Sequence, residues 1–391
     1  MTLGVPRETF PGEKRVALVP KNCEALTKAG ISLILETGAG DASGYLDEQY
    51  TSRGAAMGSR SEVFGKSDIV VQVRTLGANV QAGRVDLPLM RAGQTVIGFA
   101  EPLTAIQENA DMAATGVSLI ALELVPRITR AQSMDVLSSM ATVAGYHAVL
   151  LAAKALPKMF PMLMTAAGTI KPAKVLVLGA GVAGLQAIST ARRLGAVVSG
   201  YDVRAAVKEQ VESLGARFVE LAMDGASAEG SGGYAKAMDE NFYRRQRELL
   251  TEVLREQDVV ITTAAVPGKR APVLITASMA SAMAPGSVIV DIAAERGGNC
   301  ELTRAGETVM HNGIAILGPV NLATELPFHA SQMYSANVAS LLKLLAPKGE
   351  LILNLEDEII RETLVTHGGK VVHARIAEMM QEPNPATAGG R

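Results

Sequence analysis

The sequence contains no tryptophan, and aromatic residues make up only 4% of its 391 residues. Proteins that hold single-stranded nucleic acid by base stacking need aromatic side chains on their binding surface. The formal net charge is −2, so the composition also lacks the positive charge typical of nucleic-acid-binding domains. We therefore expect no nucleic-acid partner.

Cysteine is scarce as well, since Cys23 and Cys300 are the only two in the sequence. Two widely separated cysteines indicate no disulfide framework and favour the reducing cytoplasm. Residues 1–5 lead directly into a predicted strand, so we expect no signal peptide. The most apolar run, Met140–Leu156, is interrupted by polar residues and falls short of the roughly 20 apolar residues of a membrane helix. We interpret it as a buried or domain-linking helix and expect no insertion into a membrane.

The usual groups of metal and acid–base catalysis are also missing. The five histidines show no ligand spacing, and neither G-x-S-x-G nor H-E-x-x-H occurs. A dehydrogenase that oxidises an alcohol or an amine needs a general base near the carbon that loses hydride, and no His or Lys is evident for that role. Hydride exchange between two nicotinamides needs no such proton transfer, because the rings only have to be held face to face.

The sequence does contain a complete dinucleotide-binding pattern. Val175–Leu178 predicts a buried strand, and it is followed by G-x-G-x-x-G at 179–184, a helix over Leu185–Leu194, a second strand over Val197–Tyr201 and then Asp202. In this pattern the first glycine permits a tight turn, the second leaves room for the pyrophosphate, and the third lets helix and strand pack closely. The pyrophosphate would lie on free N–H groups at the positive end of the helix.

The acid after the second strand indicates which dinucleotide is bound. A carboxylate at Asp202 accepts hydrogen bonds from a ribose 2′-OH and repels a 2′-phosphate, which favours NAD over NADP. Arg204 argues the other way, because an arginine at this place can hold a 2′-phosphate. The alternative interpretation of Arg204 is a solvated residue in the first turn of a helix.

Strand and helix patterns alternate along the rest of the chain, as in an α/β protein. We predict two doubly wound, Rossmann-like parallel-sheet domains separated by a cleft. Residues 1–136 would form the first domain together with residues 325–391, which include an apolar helix over Gln332–Leu345. Residues 137–324 would form the NAD(H)-binding domain.

Two further segments offer groups for a ligand. Arg127–Asp135 brings a guanidinium, an amide, hydroxyls and a carboxylate that could hold a nicotinamide and its ribose. The alternative is an ordinary helix start, with Ser133 or Asp135 as the N-cap. Pro267-Gly268 follows the predicted strand Val259–Thr263, at the edge where α/β proteins bind ligands, although it could equally be a plain turn.

Together these motifs resemble the NAD(H)-binding component of proton-translocating nicotinamide nucleotide transhydrogenase, within a broader family that includes alanine dehydrogenase. The matching stretches are RVALVP (Arg15–Pro20), PRITRAQSMDVLSS (Pro126–Ser139), MTAAGT (Met164–Thr169), VLGAGVAGLQAI (Val177–Ile188), YDVRAAVKEQVESLGA (Tyr201–Ala216), GGYAKAM (Gly232–Met238), ITTAAVPGKRAPVLIT (Ile261–Thr276) and PGSVIVDIAAERGGNC (Pro285–Cys300). Alanine dehydrogenases carry a catalytic Lys near position 74 and a His near position 100, where this sequence has Arg74 and Phe99-Ala100-Glu101. They also carry Asp in place of Glu295. The resemblance therefore favours the transhydrogenase branch.

The resemblance implies a role for each matching residue. Those expected to hold the adenosine and pyrophosphate half of NAD(H) are Gly179, Gly181, Val182, Gly184, Asp202 and Val203. Those expected around the nicotinamide are Arg127, Gln132, Asp135 and Ser138, with Gln132 bringing the ring against the NADP(H) of a partner. Tyr234 would lie on a loop that closes over the nucleotide, and Val266 and Gly268 would line the cleft.

The resemblance also implies a reaction and partners. The reaction is direct hydride transfer between NADH and NADP⁺, coupled to proton movement elsewhere. NADP(H) would be bound by one partner component, and the proton path would lie in a membrane-spanning component. The chain would be a homodimer, peripheral at the cytoplasmic face of the inner membrane. The alternatives are an alanine dehydrogenase-like oxidoreductase and an NAD-binding regulatory protein.

Overall fold

The computed structural model describes residues 1–221, 240–266 and 268–381. The chain divides into two compact regions, which we call the first unit (Met1–Met140 with Leu326–Arg391) and the second unit (Ala141–Glu325). The expected boundaries, after residues 136 and 324, lie close to this division. That the two units are separate domains stays a prediction.

Strands and helices alternate along the chain. The strands are β1 (Thr2–Val5), β2 (Ser32–Glu36), β3 (Ala56–Gly58), β4 (Ile69–Arg74), β5 (Thr95–Phe99), β6 (Ser118–Ala121), β7 (Leu163–Thr165), β8 (Gly168–Ile170), β9 (Lys174–Leu178), β10 (Val197–Tyr201), β11 (Arg217–Phe218), β12 (Val259–Thr262), β13 (Val288–Asp291), β14 (Thr308–His311), β15 (Ile314–Leu317), β16 (Leu364–His367) and β17 (Lys370–Val371). The α-helices are α1 (Pro20–Lys28), α2 (Asp47–Thr51), α3 (Arg60–Lys66), α4 (Ile106–Ala114), α5 (Val136–Ala155), α6 (Val182–Arg193), α7 (Lys208–Ser213), α8 (Glu240–Leu254), α9 (Ala277–Ala280), α10 (Pro327–Leu345), α11 (Glu358–Thr363) and α12 (Ala374–Gln381).

The first unit is built on a sheet with the strand order β17-β16-β6-β5-β4-β1-β2-β3. Strands β1 to β6 pair in parallel, in the order 3-2-1-4-5-6 that is typical of doubly wound folds. The strands β16 and β17 extend this sheet in antiparallel fashion. The C-terminal segment therefore completes the sheet of the first unit.

The second unit repeats this arrangement with the strand order β11-β10-β9-β12-β13-β15-β14. All neighbours pair in parallel except β14, which is antiparallel to β15. The register places Leu178, Tyr201, Thr262 and Asp291 side by side at the carboxyl edge of the sheet. The strand order reverses between β9 and β12, which is where doubly wound folds bind nucleotides. The predicted α/β class, with two Rossmann-like sheets, is confirmed.

Helix α5 contains the apolar run identified in the sequence. Among the described residues, it is the one helix that is long and apolar enough to cross a membrane by length and composition. Its residues Ala148, Val149 and Ala152 are fully buried in the hydrophobic core of the second unit. A Cβ on Gly145 would lie 2.1 Å from the carbonyl oxygen of Ala183, so the helix contacts the backbone of α6 closely. This packing fits the predicted buried helix.

The segment after α5 contains a feature that the sequence pattern did not predict. Pro157–Pro172 reads as a connection because it contains prolines, but it holds the antiparallel hairpin β7–β8. Apolar side chains are exposed on and beside this hairpin, including Met162 (56%) and Met164 (80%).

Candidate nucleotide site

The glycine turn after β9 has the geometry that its sequence predicts. Gly179 has a φ of +97°, which L side chains rarely adopt, and its N–H donates to the Tyr201 carbonyl at 2.8 Å. A Cβ on Gly184 would lie 1.8 Å from the carbonyl oxygen of Gly179, whereas a Cβ on Gly181 would meet no atom within 4 Å. Gly184 is therefore required by packing, and Gly181 borders open space.

Helix α6 begins inside the glycine motif. Gly181 is its N-cap residue, and the first intrahelical bond runs from the Leu185 N–H to the Gly181 carbonyl at 2.8 Å. The predicted start at Leu185 is thus three residues too late, because the glycines already adopt helical geometry from Val182. The N–H groups of the first turn have no partner within the helix, and they provide the positive end that an anion needs.

Asp202 links the end of β10 to the glycine turn. Its carboxylate accepts a hydrogen bond from the Ala180 N–H at 2.8 Å. It also accepts the Arg204 main-chain N–H at 2.9 Å and both Nε and Nη2 of the Arg204 guanidinium, at 2.9 and 2.8 Å. Burial alone would raise the pKa of Asp202, but these hydrogen bonds outweigh burial and lower it. The group is therefore an ionised acceptor whose charge is shared with Arg204.

The segment after β12 completes the carboxyl edge. The Thr263 hydroxyl donates to the Gly179 carbonyl at 3.0 Å, which joins this segment to the glycine turn. The Asn299 amide exchanges hydrogen bonds with the Ala264 main chain, at 2.9 and 2.8 Å. Val266 is half-buried and Gly268 has a φ of +69°, so both follow the switch point as predicted. Pro267 lies outside the described residues.

A buried carboxylate supports this segment and was not identified from the sequence. Asp291 is fully buried and accepts hydrogen bonds from the Thr262 hydroxyl at 2.9 Å and the Asn299 N–H at 2.7 Å. The signal that points to Asp291 is an acid that directly follows an apolar strand, the same signal that identifies Asp202. Val203, next to Asp202, is partly buried against the core of the second unit.

The residues expected around the nicotinamide lie in the first unit. Residues Thr129–Met134 form a 3₁₀ turn, on which Gln132 is exposed, and Arg127 precedes the turn and is also exposed. Asp135 accepts the Ser138 N–H at 2.9 Å and the Ser138 hydroxyl at 2.5 Å. Asp135 thus stabilises the first turn of α5, as the helix-start interpretation predicts.

Two predicted features have other outcomes. Tyr234 and the glycine-rich stretch at 222–233 lie outside the described residues. The nicotinamide residues and the glycine-turn residues fall in different units, and each set is compact within its own unit.

The switch point of the first unit, between β1 and β4, is occupied by an ion-pair cluster. Glu13 is fully buried and pairs with the Arg15 guanidinium at 2.6 Å and with Nε of Arg74 at 3.1 Å. The Arg74 guanidinium also lies over the Phe10 ring, 4.2 Å from its centroid. A guanidinium held in this way cannot act as a general base, so position 74 lacks the acid–base chemistry of a lysine.

Comparison with known proteins identifies relatives of the whole chain. Family models described as alanine dehydrogenase/PNT, N-terminal domain and C-terminal domain, match residues 4–144 and 148–374. The sequence is 42% identical to an NAD(P) transhydrogenase subunit alpha protein of Rhodospirillum rubrum, over 95% of this chain and 98% of that relative. It is 27% identical to alanine dehydrogenase of Mycolicibacterium smegmatis, over 98% of each chain. The crystal structure of transhydrogenase from Sinorhizobium meliloti matches with a TM-score of 0.85 and 42% identity, over 95% of this chain and all of that chain.

Proposed function

Because the chain belongs to the transhydrogenase branch of the alanine dehydrogenase/PNT family, we propose that it is the NAD(H)-binding subunit of a proton-translocating transhydrogenase. It catalyses hydride transfer between NADH and NADP⁺ bound on a partner component. The observation that carries this proposal is the combination of a complete dinucleotide site with Asp202 and a guanidinium, Arg74, where an alanine dehydrogenase has its catalytic lysine.

The described residues fit a bound NAD(H). Open space at Gly181 and the free N–H groups of the first turn of α6 suit the pyrophosphate. Asp202, an ionised acceptor with its Arg204 partner, suits the hydroxyl groups of the adenosine ribose. When it is bound, the dinucleotide supplies the hydride, and the protein supplies orientation and exclusion of water.

We infer that Arg127, Gln132, Asp135 and Ser138 contact the nicotinamide end of the bound NAD(H). Gln132 is the residue that orients the ring toward the partner's NADP(H), because its amide is exposed on a short turn. Val182, Val203, Val266 and Gly268 complete the contacts with the dinucleotide, and Tyr234 closes over it. The family resemblance supports these assignments, and mutation of each residue tests them.

We also propose that the chain is a homodimer and a peripheral component at the cytoplasmic face of the inner membrane. The exposed methionines around the hairpin β7–β8, Met162 and Met164, support a protein–protein contact at this place. Attachment to the membrane would go through the NADP(H)-binding and membrane-spanning components. Sedimentation of the purified chain tests the dimer, and Met164→Asp should shift it toward a monomer.

One set of assays separates this function from its alternatives. The purified chain should bind NADH and show no transfer by itself, and addition of an NADP(H)-binding partner component should produce hydride transfer. Reduction of pyruvate in the presence of ammonia would show that the chain is an alanine dehydrogenase. NADH binding without any transfer in the presence of the partner would indicate a regulatory protein.

A further inference from the structure

The 3₁₀ turn Thr129–Met134 has three distinct faces. Residues three apart are aligned on a 3₁₀ helix, so each pair of positions shares a face. Ala131 and Met134 form the first face and are buried, with 0% and 7% of their surface exposed. Arg130 and Ser133 form the second face, and Thr129 and Gln132 form the third, which is exposed.

The second face is held by the C-terminal segment of the first unit. The Arg130 guanidinium forms a two-pronged ion pair with Asp357, with N–O distances of 2.6 and 3.0 Å. The side-chain amide of Asn337 on α10 donates to the Ser133 carbonyl at 2.9 Å. These contacts join residues more than 200 positions apart in the sequence.

The groups that hold the turn are themselves fixed. Asp357 is the N-cap of α11 and accepts the Ile359 N–H at 2.9 Å. On α10, the Ser335 hydroxyl accepts the Val19 N–H at 3.0 Å, and the Tyr334 hydroxyl donates to the Gln72 carbonyl at 2.7 Å. The turn is therefore attached to rigid elements rather than to another loop.

We propose that Arg130, Asp357 and Asn337 are positioning residues for hydride transfer. They fix the rotation of the 3₁₀ turn, so that its exposed face presents Gln132 in one orientation. This inference rests on the proposed function, in which Gln132 orients the nicotinamide ring. Hydride transfer depends steeply on the placement of the reacting carbons, so a small rotation of the turn slows the reaction.

The exposure of the ion pair separates positioning from stability. Half of the Arg130 side chain is exposed (51%), and exposed ion pairs contribute little to folding. Loss of this pair is therefore expected to change the rate and not the stability. Asp357→Asn is the cleanest variant, because asparagine keeps the N-cap of α11 and removes only the charge.

The test compares Arg130→Gln, Asp357→Asn and the double variant in the complex with an NADP(H)-binding partner component. Each should slow single-turnover hydride transfer roughly tenfold and lower kcat, while the KM and Kd for NADH and the melting temperature stay unchanged. The double variant should be no slower than either single variant, because both remove the same contact. The matched control is the Arg84–Asp111 pair of the same unit (2.7 Å), as Arg84→Gln and Asp111→Asn, which should leave the rate unchanged.

The outcomes separate this inference from the function on which it rests. An unchanged rate in Asp357→Asn, in a complex where Gln132→Asn slows transfer, would overturn the positioning role and leave the proposed function intact. A parallel loss of rate, NADH affinity and melting temperature would show a structural role and overturn it as well. If the unmodified chain transfers no hydride with the partner, both proposals are wrong.

Discussion

The Asp202 carboxylate is held by the main-chain N–H and the guanidinium of Arg204, two positions further along the chain. The sequence presented these two residues as competing signals, one for NAD and one for NADP. The structure shows them as one unit, in which the acid occupies the guanidinium that a 2′-phosphate would need. The preference for NAD therefore depends on the pair.

Asp202→Ala should weaken NADH binding about tenfold, which corresponds to about 1.4 kcal/mol. It should also improve NADPH binding, because Arg204 then becomes available to a 2′-phosphate. Titration of the chain with both dinucleotides measures the two effects. The double variant Asp202→Ala with Arg204→Ala should lose the NADPH gain, and Asp258→Ala, at the amino edge of the same sheet, is the matched control. Unchanged preference in Asp202→Ala would rule out this role.

Two glycines of the motif should respond differently to the same substitution. Gly184→Ala should destabilise the second unit by about 3 kcal/mol, because the new Cβ would overlap the Gly179 carbonyl oxygen. Gly181→Ala should leave the melting temperature unchanged and reduce NADH affinity at least tenfold, since its Cβ would enter the space for the pyrophosphate. Thermal unfolding and NADH titration of both variants test this. Equal stability losses would contradict the assignment of Gly181 to binding.

Gln132→Asn should slow hydride transfer about tenfold in the complex with the partner and leave the NADH Kd nearly unchanged. The shorter side chain keeps the amide but withdraws it from the exposed face of the 3₁₀ turn. Stopped-flow measurement of transfer and a separate binding titration distinguish the two quantities. Gln107→Asn on α4 is the control. A pure binding defect would instead favour the helix-start interpretation of this segment.

Glu123 should make the stability of the first unit depend on pH. Burial raises the pKa of Glu123 from 4.5 to about 7, and the carboxylate of Glu101 adds to this rise. The folded state then binds the proton more tightly than the unfolded state. The stabilisation is complete below pH 4.5 and is lost as the pH rises through 7, at up to about 1.4 kcal/mol per pH unit.

Glu123→Gln should therefore reduce the decline of melting temperature between pH 5 and pH 7. Glutamine retains the oxygen that accepts the N–H groups of Ala100 and Glu101, both at 2.8 Å, so the fold is preserved. A decline remains in the variant because burial also raises the pKa of Glu8 to about 8. Identical pH profiles for the variant and the natural chain would show that Glu123 does not titrate in this range.

The elements of the fold that depend on local sequence were predictable. The strand Val197–Tyr201 has the predicted bounds, and the apolar helix over Gln332–Leu345 is the C-terminal portion of α10. Periodicity and glycine stops determine such elements within one or two turns of chain.

The remaining features depend on partners distant in sequence. The segment Pro126–Ser138 reads as a loop because its 3₁₀ turn is held by Asn337 and Asp357, which no local pattern reveals. Likewise, the sequence around Asp291 does not show that its carboxylate supports the Asn299 main chain. These contacts are long-range hydrogen bonds, and a propensity argument has no access to them.

The return of the chain into the first unit imposes an order on biosynthesis. The ribosome completes the entire second unit before residues 326–381 are available, so the dinucleotide fold can form while β6 is still an open sheet edge. Until β16 pairs with that edge and α10 covers the core, the nascent first unit presents unpaired backbone to its surroundings. Chaperone contact during synthesis should therefore concentrate on residues 1–140, the region of the protein that is translated first and finished last.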